Sequence, residues 1–407
     1  MTAIARKPRV AVVSPFLDKR HGTERRVVEW VSQLAETFEI HIYSQLVEDL
    51  DLSRVTWHRI PKLPGPHLFN YLWWFAANRT WRSWDRRFRG LEYDLVFSPG
   101  INCLDADAVS VHIVFAEYIR RNQAEIKLAG HSLRTWPERF HRKLYYALIA
   151  SLERRVYTRR DVTLILIAQR TAEALARFYG RVEKLPVVYV GLDHDVFNPA
   201  RRTALRPFAR KNLGIRDERF ALLLIGNDWR NKGISVVLEA MERLRDLPVD
   251  LILVGREDSA SYRAIVHERQ FDGRVYFLEP RSEVEFFYAA ADAYVGPSFE
   301  DTFAQPPAEA MACGLPVIVS SANGTCEIMT DGVDGLVLRD PGDAKTLAEM
   351  ICKLYEDSGY RTRLGANAAE TAKQYTWERN GRELAAIFQE ILRRKANVAV
   401  QSVAQEL

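Results

Sequence analysis

The chain has 407 residues, 47% hydrophobic and 27% charged. That is too long for one ordinary core and too apolar for disorder, so two globular domains of a little under about 200 residues each are expected. The 57 Lys and Arg against 53 Asp and Glu leave a net charge of only +4, too balanced to argue for a nucleic-acid partner.

The opening "MTAIARKPRVAVVSP" enters a strand-like run directly, without the apolar region of a signal peptide. "RVAVVS" (residues 9–14) reads as a buried strand, followed by a loop and a helix from Gly22 with Val27, Val28, Val31 and Leu34 at helical spacing. "EIHIYS" (39–44) is the next strand, and "YDLVFS", "DAVSV", "VTLILIA" and "VVYV" are expected to follow. A long basic helical region interrupts them between about residues 132 and 159. "GLDHDVFNPARRTALRPF", with Pro199 and Pro207 and no sustained periodicity, reads as a domain connection. The pattern then restarts with "FALLLIG", "VDLILVG", "RVYFL", "DAYVG", "LPVIVS" and "GLVL" as strands. "TWERNGRELAAIFQEILRRKA" closes it as one amphipathic helix. Strands alternating with helices predict parallel α/β units. No apolar run reaches about 18 residues, so no membrane span is expected. Cys103, Cys313, Cys326 and Cys352 form no C-x-x-C pair, which argues against zinc or a disulfide framework and fits a reducing cytoplasm.

In parallel sheets, ligands bind beyond the carboxyl ends of the strands, so the loops after strands carry the chemistry. Three stand out. "SPFLDKRHGTERR" places Gly22 at a helix start, an anion-binding geometry or simply a permissive turn. "GNDWRNKG" (226–233) puts Arg230 and Lys232 between a strand end and a helix N-terminus, where two cations suit a diphosphate. "PSFEDTFAQPPAEAMACGLPVIVS" sets Asp301 in a loop and Glu309 in a helix opened by Pro306 and Pro307. A loop carboxylate can accept from sugar hydroxyls, and a helical one can hold a ribose diol. No G-x-G-x-x-G is present, so the dinucleotide fingerprint is missing.

Together with His112 in "AVSVHIVF", the interdomain "VGLDHDVFNP" and "NGTCEIMTDGVDGLVL", these loops occur in an order that resembles the retaining nucleotide-sugar glycosyltransferases of family 4, the glycosyl transferases group 1 type with the GT-B fold. The resemblance covers almost the full length. It implies two Rossmann-like parallel-sheet domains facing across a cleft: residues 1–195 on the acceptor side and 196–376 holding the sugar nucleotide. A helix at 377–397 would return to the first domain, with a tail at 398–407. It implies that Arg230 and Lys232 neutralise the donor diphosphate and that Glu309 binds the ribose. Asp301 would contact the donor sugar, helped by backbone N–H groups near Thr302 and Phe303. His112 would line the sugar pocket, and Gly22, Gly226 and Asn227 would allow or make close approach to the donor. The leaving phosphate would take the acceptor proton, so no cofactor, metal or protein nucleophile is required. The chain departs from the usual pattern in carrying Asp301 for glutamate, Asn227 for arginine with Arg230 as its substitute, and His21-Gly22 for a glycine pair.

Three other readings compete. D-x-D patterns at Asp49/Asp51, Asp105/Asp107 and Asp193/Asp195 could hold a metal. The same two-domain fold serves sugar-nucleotide 2-epimerases. A catalytically silent binding module in a polysaccharide-assembly complex is the third. The acceptor expected from the resemblance is a hydroxyl on a glycan or a lipid-linked molecule. "LFNYLWWFAANRTWRSWDRRFRG" (68–90) and residues 131–160 are basic and aromatic, and such helices either lie on anionic membrane surfaces or present a solvated basic face. The resulting location is cytoplasmic, with peripheral contact to the membrane as the extension of that reading.

Overall fold

The computed structural model describes residues 6–19, 22–121, 136–257 and 259–406. The chain divides into two compact units, residues 1–189 with 377–407, and residues 190–376.

The first unit is built on a six-stranded parallel sheet in the order β5-β3-β1-β6-β7-β8. Its strands are β1 (Arg9–Val13), β3 (Glu39–Ser44), β5 (Val55–Arg59), β6 (Leu95–Pro99), β7 (Ala108–Val111) and β8 (Thr163–Leu166). A two-stranded pair, β2 (Phe16–Leu17) and β4 (Leu46–Val47), lies outside it. The inner strands are buried along nearly their whole length, as a parallel sheet covered on both faces requires. The connecting helices are α1 (Gly22–Leu34), α2 (His67–Arg89), α3 (Phe115–Arg121), α4 (Trp136–Tyr157) and α5 (Thr171–Tyr179).

The second unit repeats the plan, in the order β11-β10-β9-β12-β13-β14. Its strands are β9 (Phe220–Ile225), β10 (Val249–Val254), β11 (Val275–Leu278), β12 (Ala293–Gly296), β13 (Val317–Ser320) and β14 (Leu336–Leu338). Its helices are α6 (Pro199–Leu213), α7 (Ile234–Arg243), α8 (Ala260–Glu268), α9 (Glu285–Ala290), α10 (Gln305–Ala312), α11 (Ala344–Glu356) and α12 (Ser358–Ala372). The core gathers Trp229, Met241, Phe271 and Leu347 around the strands. Both units are therefore Rossmann-like parallel sheets, each running through a change of strand order that opens crevices at the carboxyl ends.

The last helix, α13 (Trp377–Glu406), belongs to the first unit. It packs on α1, where Trp30 Nε1 donates to Asn380 Oδ1, and a side chain at Gly381 would collide with Gln33 at 2.4 Å. Further along, Phe388 meets Phe38 and Phe97 at 5.9 and 5.1 Å between ring centres.

Two sequence expectations fail here. "VVYV" is not a strand: only Val187 bridges to Leu166, flanked by bonds from Leu166 N to Pro186 O and from Val188 N to Leu166 O. The supposed connection at residues 191–208 contains the start of α6. Asn198 caps it by accepting from Arg201 N at 2.8 Å, and Pro199 occupies the first turn, where a missing N–H costs nothing. Apolar periodicity could not reveal α6, because its inward face is a stripe of arginines. Arg202, Arg206 and Arg210 donate to the carbonyls of Ala291, Ala291 and Ala290 at 2.9, 2.8 and 3.0 Å. They thus satisfy the C-terminal end of α9 that would otherwise be left open.

Candidate active site

In the second unit, the loop from β9 to α7 folds tightly back on itself. Lys232 N donates to Asp228 O at 2.9 Å, and Ile234 N to Trp229 O at 3.1 Å. Trp229 is the anchor, its ring buried between Tyr262 and Phe277 and its backbone N–H donating to Glu257 Oε2 at 2.5 Å. Two glycines are sterically required. At Gly226, φ is +153° and an added Cβ would lie 2.7 Å from Lys232 Cε; at Gly233, φ is +79° and a Cβ would lie 2.4 Å from Pro297 O. The lysine stem thus runs across Gly226, and its ammonium forms an ion pair with Asp301. Asn227 Oδ1 accepts from Arg256 N at 2.8 Å, fastening this loop to the one after β10. Arg230 is exposed on the same loop.

The loop from β12 to α10 supplies the acidic partner. Asp301 N donates to Ala322 O at 3.0 Å and Gly324 N to Asp301 O at 2.9 Å, so the backbone around Asp301 is pinned to the segment after β13. Asn231 Nδ2 donates to Glu300 O at 2.7 Å, tying the two loops together. Thr302 and Phe303 lead into α10, where Asn323 Oδ1 accepts from Thr325 N at 3.0 Å and Thr325 Oγ1 donates to Ala304 O at 2.7 Å. Glu309 is buried one turn into α10, and Tyr288 Oη donates to its Oε2 at 2.7 Å. One crevice end thus carries a paired lysine and aspartate, an exposed arginine and a buried carboxylate.

In the first unit, Gly22 opens α1 and His112 follows β7. Arg26 Nη1 donates to His112 Nδ1 at 2.9 Å, which makes Nδ1 an acceptor and leaves the proton on Nε2, 2.9 Å from Ser110 Oγ. Burial, and then the Arg26 guanidinium, push the His112 pKa well below the usual imidazole range. His112 is therefore a neutral hydrogen-bonding group.

Sequence reading singled out Lys232, Asp301 and Glu309 in one unit, and the structure brings the first two into contact. It missed Tyr288, which sits in the apolar run "EFFYAA" with no signal of its own, and the role of Arg26 inside "HGTERR". Five of the six D-x-D aspartates have structural partners for their carboxylates. Asp105 pairs with Arg82, Asp107 accepts from Val96 N, and Asp49 from Lys19 N. Asp51 accepts from Ser53 N, and Asp193 from Asp195 N and Val196 N. Among the described residues no His, Cys, Asp and Glu group is arranged to hold a metal. Arg82, within the basic-aromatic stretch 68–90, is 6% exposed and clamped by Asp105 and Asn78. Residues 131–135 of the second basic-aromatic stretch lie outside the described residues.

Residues 206–371 match the model of the family described as glycosyl transferases group 1. Curated relatives named D-inositol 3-phosphate glycosyltransferase include those of Xylanimonas cellulosilytica, 29% identical over 57% of this chain and 58% of that one, and Corynebacterium efficiens, 25% identical over 74% and 72%. The chain thus spans less than two thirds of the Xylanimonas relative. Among solved structures, it resembles WaaG, a glycosyltransferase involved in lipopolysaccharide biosynthesis, with a TM-score of 0.73 and 19% identity over 93% of this chain and 99% of that one. It also resembles Anabaena Alr3699/HepE in complex with UDP-glucose, with a TM-score of 0.68 and 19% identity over 94% and 99%. At these identities the structural likeness establishes the GT-B fold.

Proposed function

We propose that the protein transfers a sugar from a nucleotide-diphosphate sugar to a hydroxyl acceptor, with retention of configuration. The observation that carries this reading is the meeting of Lys232 and Asp301 at the carboxyl ends of β9 and β12, with Glu309 buried nearby on α10. Lys232 and Arg230 neutralise the diphosphate, and their interaction grows as negative charge develops on the leaving group. Asp301 and the N–H groups near Thr302 and Phe303 hold the sugar, and Glu309 holds the ribose. The departing phosphate oxygen takes the acceptor proton as the new bond forms on the same face. Fixed cations and helix N-termini do the work a metal would do. The acceptor is a lipid-linked or cell-envelope glycan, reached from the cytoplasmic face of the membrane through α2. That helix exposes Trp84 and Phe88 at 57% and 62%, flanked by Arg86 and Arg87.

The test is a mass-spectrometric screen of UDP-, GDP-, ADP- and dTDP-sugars in excess EDTA, with the product anomer read by NMR. UDP-glucose comes first because it occupies the related Anabaena protein. Turnover of one donor with retained anomeric configuration is expected. Inversion would remove the retaining reading, and turnover only after Mn²⁺ is returned would hand charge neutralisation to a metal.

A further inference from the structure

Glu309 stands among small apolar residues on α10, where a carboxylate is costly to bury without a donor. Tyr288 supplies one, with its hydroxyl 2.7 Å from Oε2 and its ring fully buried. The phenol is held from two sides. Phe197 meets the ring edge-on, 5.7 Å between centres and at 85°. The arginine stripe of α6 grips the end of α9, with Arg206 and Arg210 also bound to Asp292. Phe197 and Asn198 belong to the "VGLDHDVFNP" segment, for which the transfer chemistry gives no task. Its packing leads directly to Tyr288, and Tyr288 leads to Glu309.

We propose that Tyr288, braced by Phe197 and the α6 arginines, is a positioning residue that orients the Glu309 carboxylate to accept both hydroxyls of a nucleotide ribose. This rests on the assignment of Glu309 to the ribose. A vicinal diol offers two O–H donors that one carboxylate meets only when its plane is correctly turned. The hydroxyl of Tyr288 fixes that plane and supports the negative charge, since hydrogen bonds to charged groups are the stronger ones. The burial of the phenol and the neighbouring Glu309 charge raise the Tyr288 pKa well above its ordinary value, so it remains a donor throughout the working pH range.

Calorimetric titration with ADP, GDP and UDP, each against its 2′-deoxy form, tests this on the wild type, Tyr288→Phe and Glu309→Ala. The wild type is expected to favour the ribose form of the nucleotide it binds by roughly tenfold. Tyr288→Phe is expected to bind the 2′-deoxy form as the wild type does while losing the preference, and its donor KM should rise with kcat preserved. Phe197→Leu slackens the ring but keeps the phenol, and should lower the preference part-way. A full preference retained by both Tyr288→Phe and Phe197→Leu overturns the proposal. If Glu309→Ala also retains it, the ribose assignment itself falls; if Glu309→Ala loses it, only the role of Tyr288 does.

Discussion

Lys232 and Asp301 neutralise one another across two strand ends, so a donor diphosphate bound as proposed must compete with a carboxylate for the same ammonium. Removing the lysine therefore does two things: it takes away the cation and leaves Asp301 as an uncompensated anion beside the phosphates. A charge-assisted hydrogen bond contributes about 1.5–3 kcal/mol, and about 3 kcal/mol is more than a hundredfold in rate. Lys232→Ala is predicted to lower kcat/KM by at least a hundredfold with the unfolding midpoint little changed. Steady-state kinetics with the donor found by the screen checks it, and near-wild-type kcat/KM would end the diphosphate assignment. These residues were legible in the sequence because they sit in polar loops between a buried strand and a helix, where a charge has few structural duties. Tyr288 was not legible: between Phe287 and Ala289 its ring reads as core, and only the atom at its tip carries the message. Arg82 misled in the opposite sense, since nothing local announces that Asp105, in the loop between β6 and β7, will draw it inside.

At the scale of elements, the start of α3 is fastened by α4 and α5. Glu153 of α4 accepts from Phe115 N and Ala116 N at 2.9 and 3.2 Å, and from Tyr179 Oη of α5 at 2.7 Å. Burial pushes the Glu153 carboxyl up to about 7, against the pull of Tyr179 and the two N–H groups. With the folded pKa above the unfolded value of about 4.3, the native state keeps a proton that the unfolded chain releases. This contribution to stability is full below the unfolded pKa and is lost as pH rises through about 7. Glu153→Gln is predicted to flatten that part of the stability curve, measured by urea unfolding at intervals between pH 4.5 and 8; an unchanged slope would remove Glu153 as its source. The sheets themselves were readable because buried parallel strands are continuous apolar runs, as in "FALLLIG" and "VDLILVG". β5 was not, because this five-residue edge strand buries only His58 and so offers neither an apolar run nor a clear alternation. α6 was hidden because its packing face is made of guanidinium groups rather than hydrocarbon.

Taken as a whole molecule, the chain carries its basic-aromatic character on the surface of α2, with no described helix long and apolar enough to cross a membrane. Each surface Arg contributes on the order of 1 kcal/mol near an anionic bilayer, screened within a Debye length. Co-sedimentation with anionic vesicles is therefore predicted to exceed that with neutral ones and to weaken between low and physiological salt. It should weaken further in Arg86→Glu/Arg87→Glu. Equal binding to both vesicle types would return these arginines to an ordinary solvated face. The path of α13 has another consequence. Because residues 377–406 complete the first unit, that unit is split by the second in the order of synthesis. Residues 6–189 emerge from the ribosome without Asn380 and Phe388, the partners of Trp30, Phe38 and Phe97. Residues 190–376 emerge as one uninterrupted stretch whose ends meet, Leu192 N donating to Tyr375 O at 3.0 Å. The second unit can therefore close during translation, while the first must wait, with α1 uncovered, for α13 to be made.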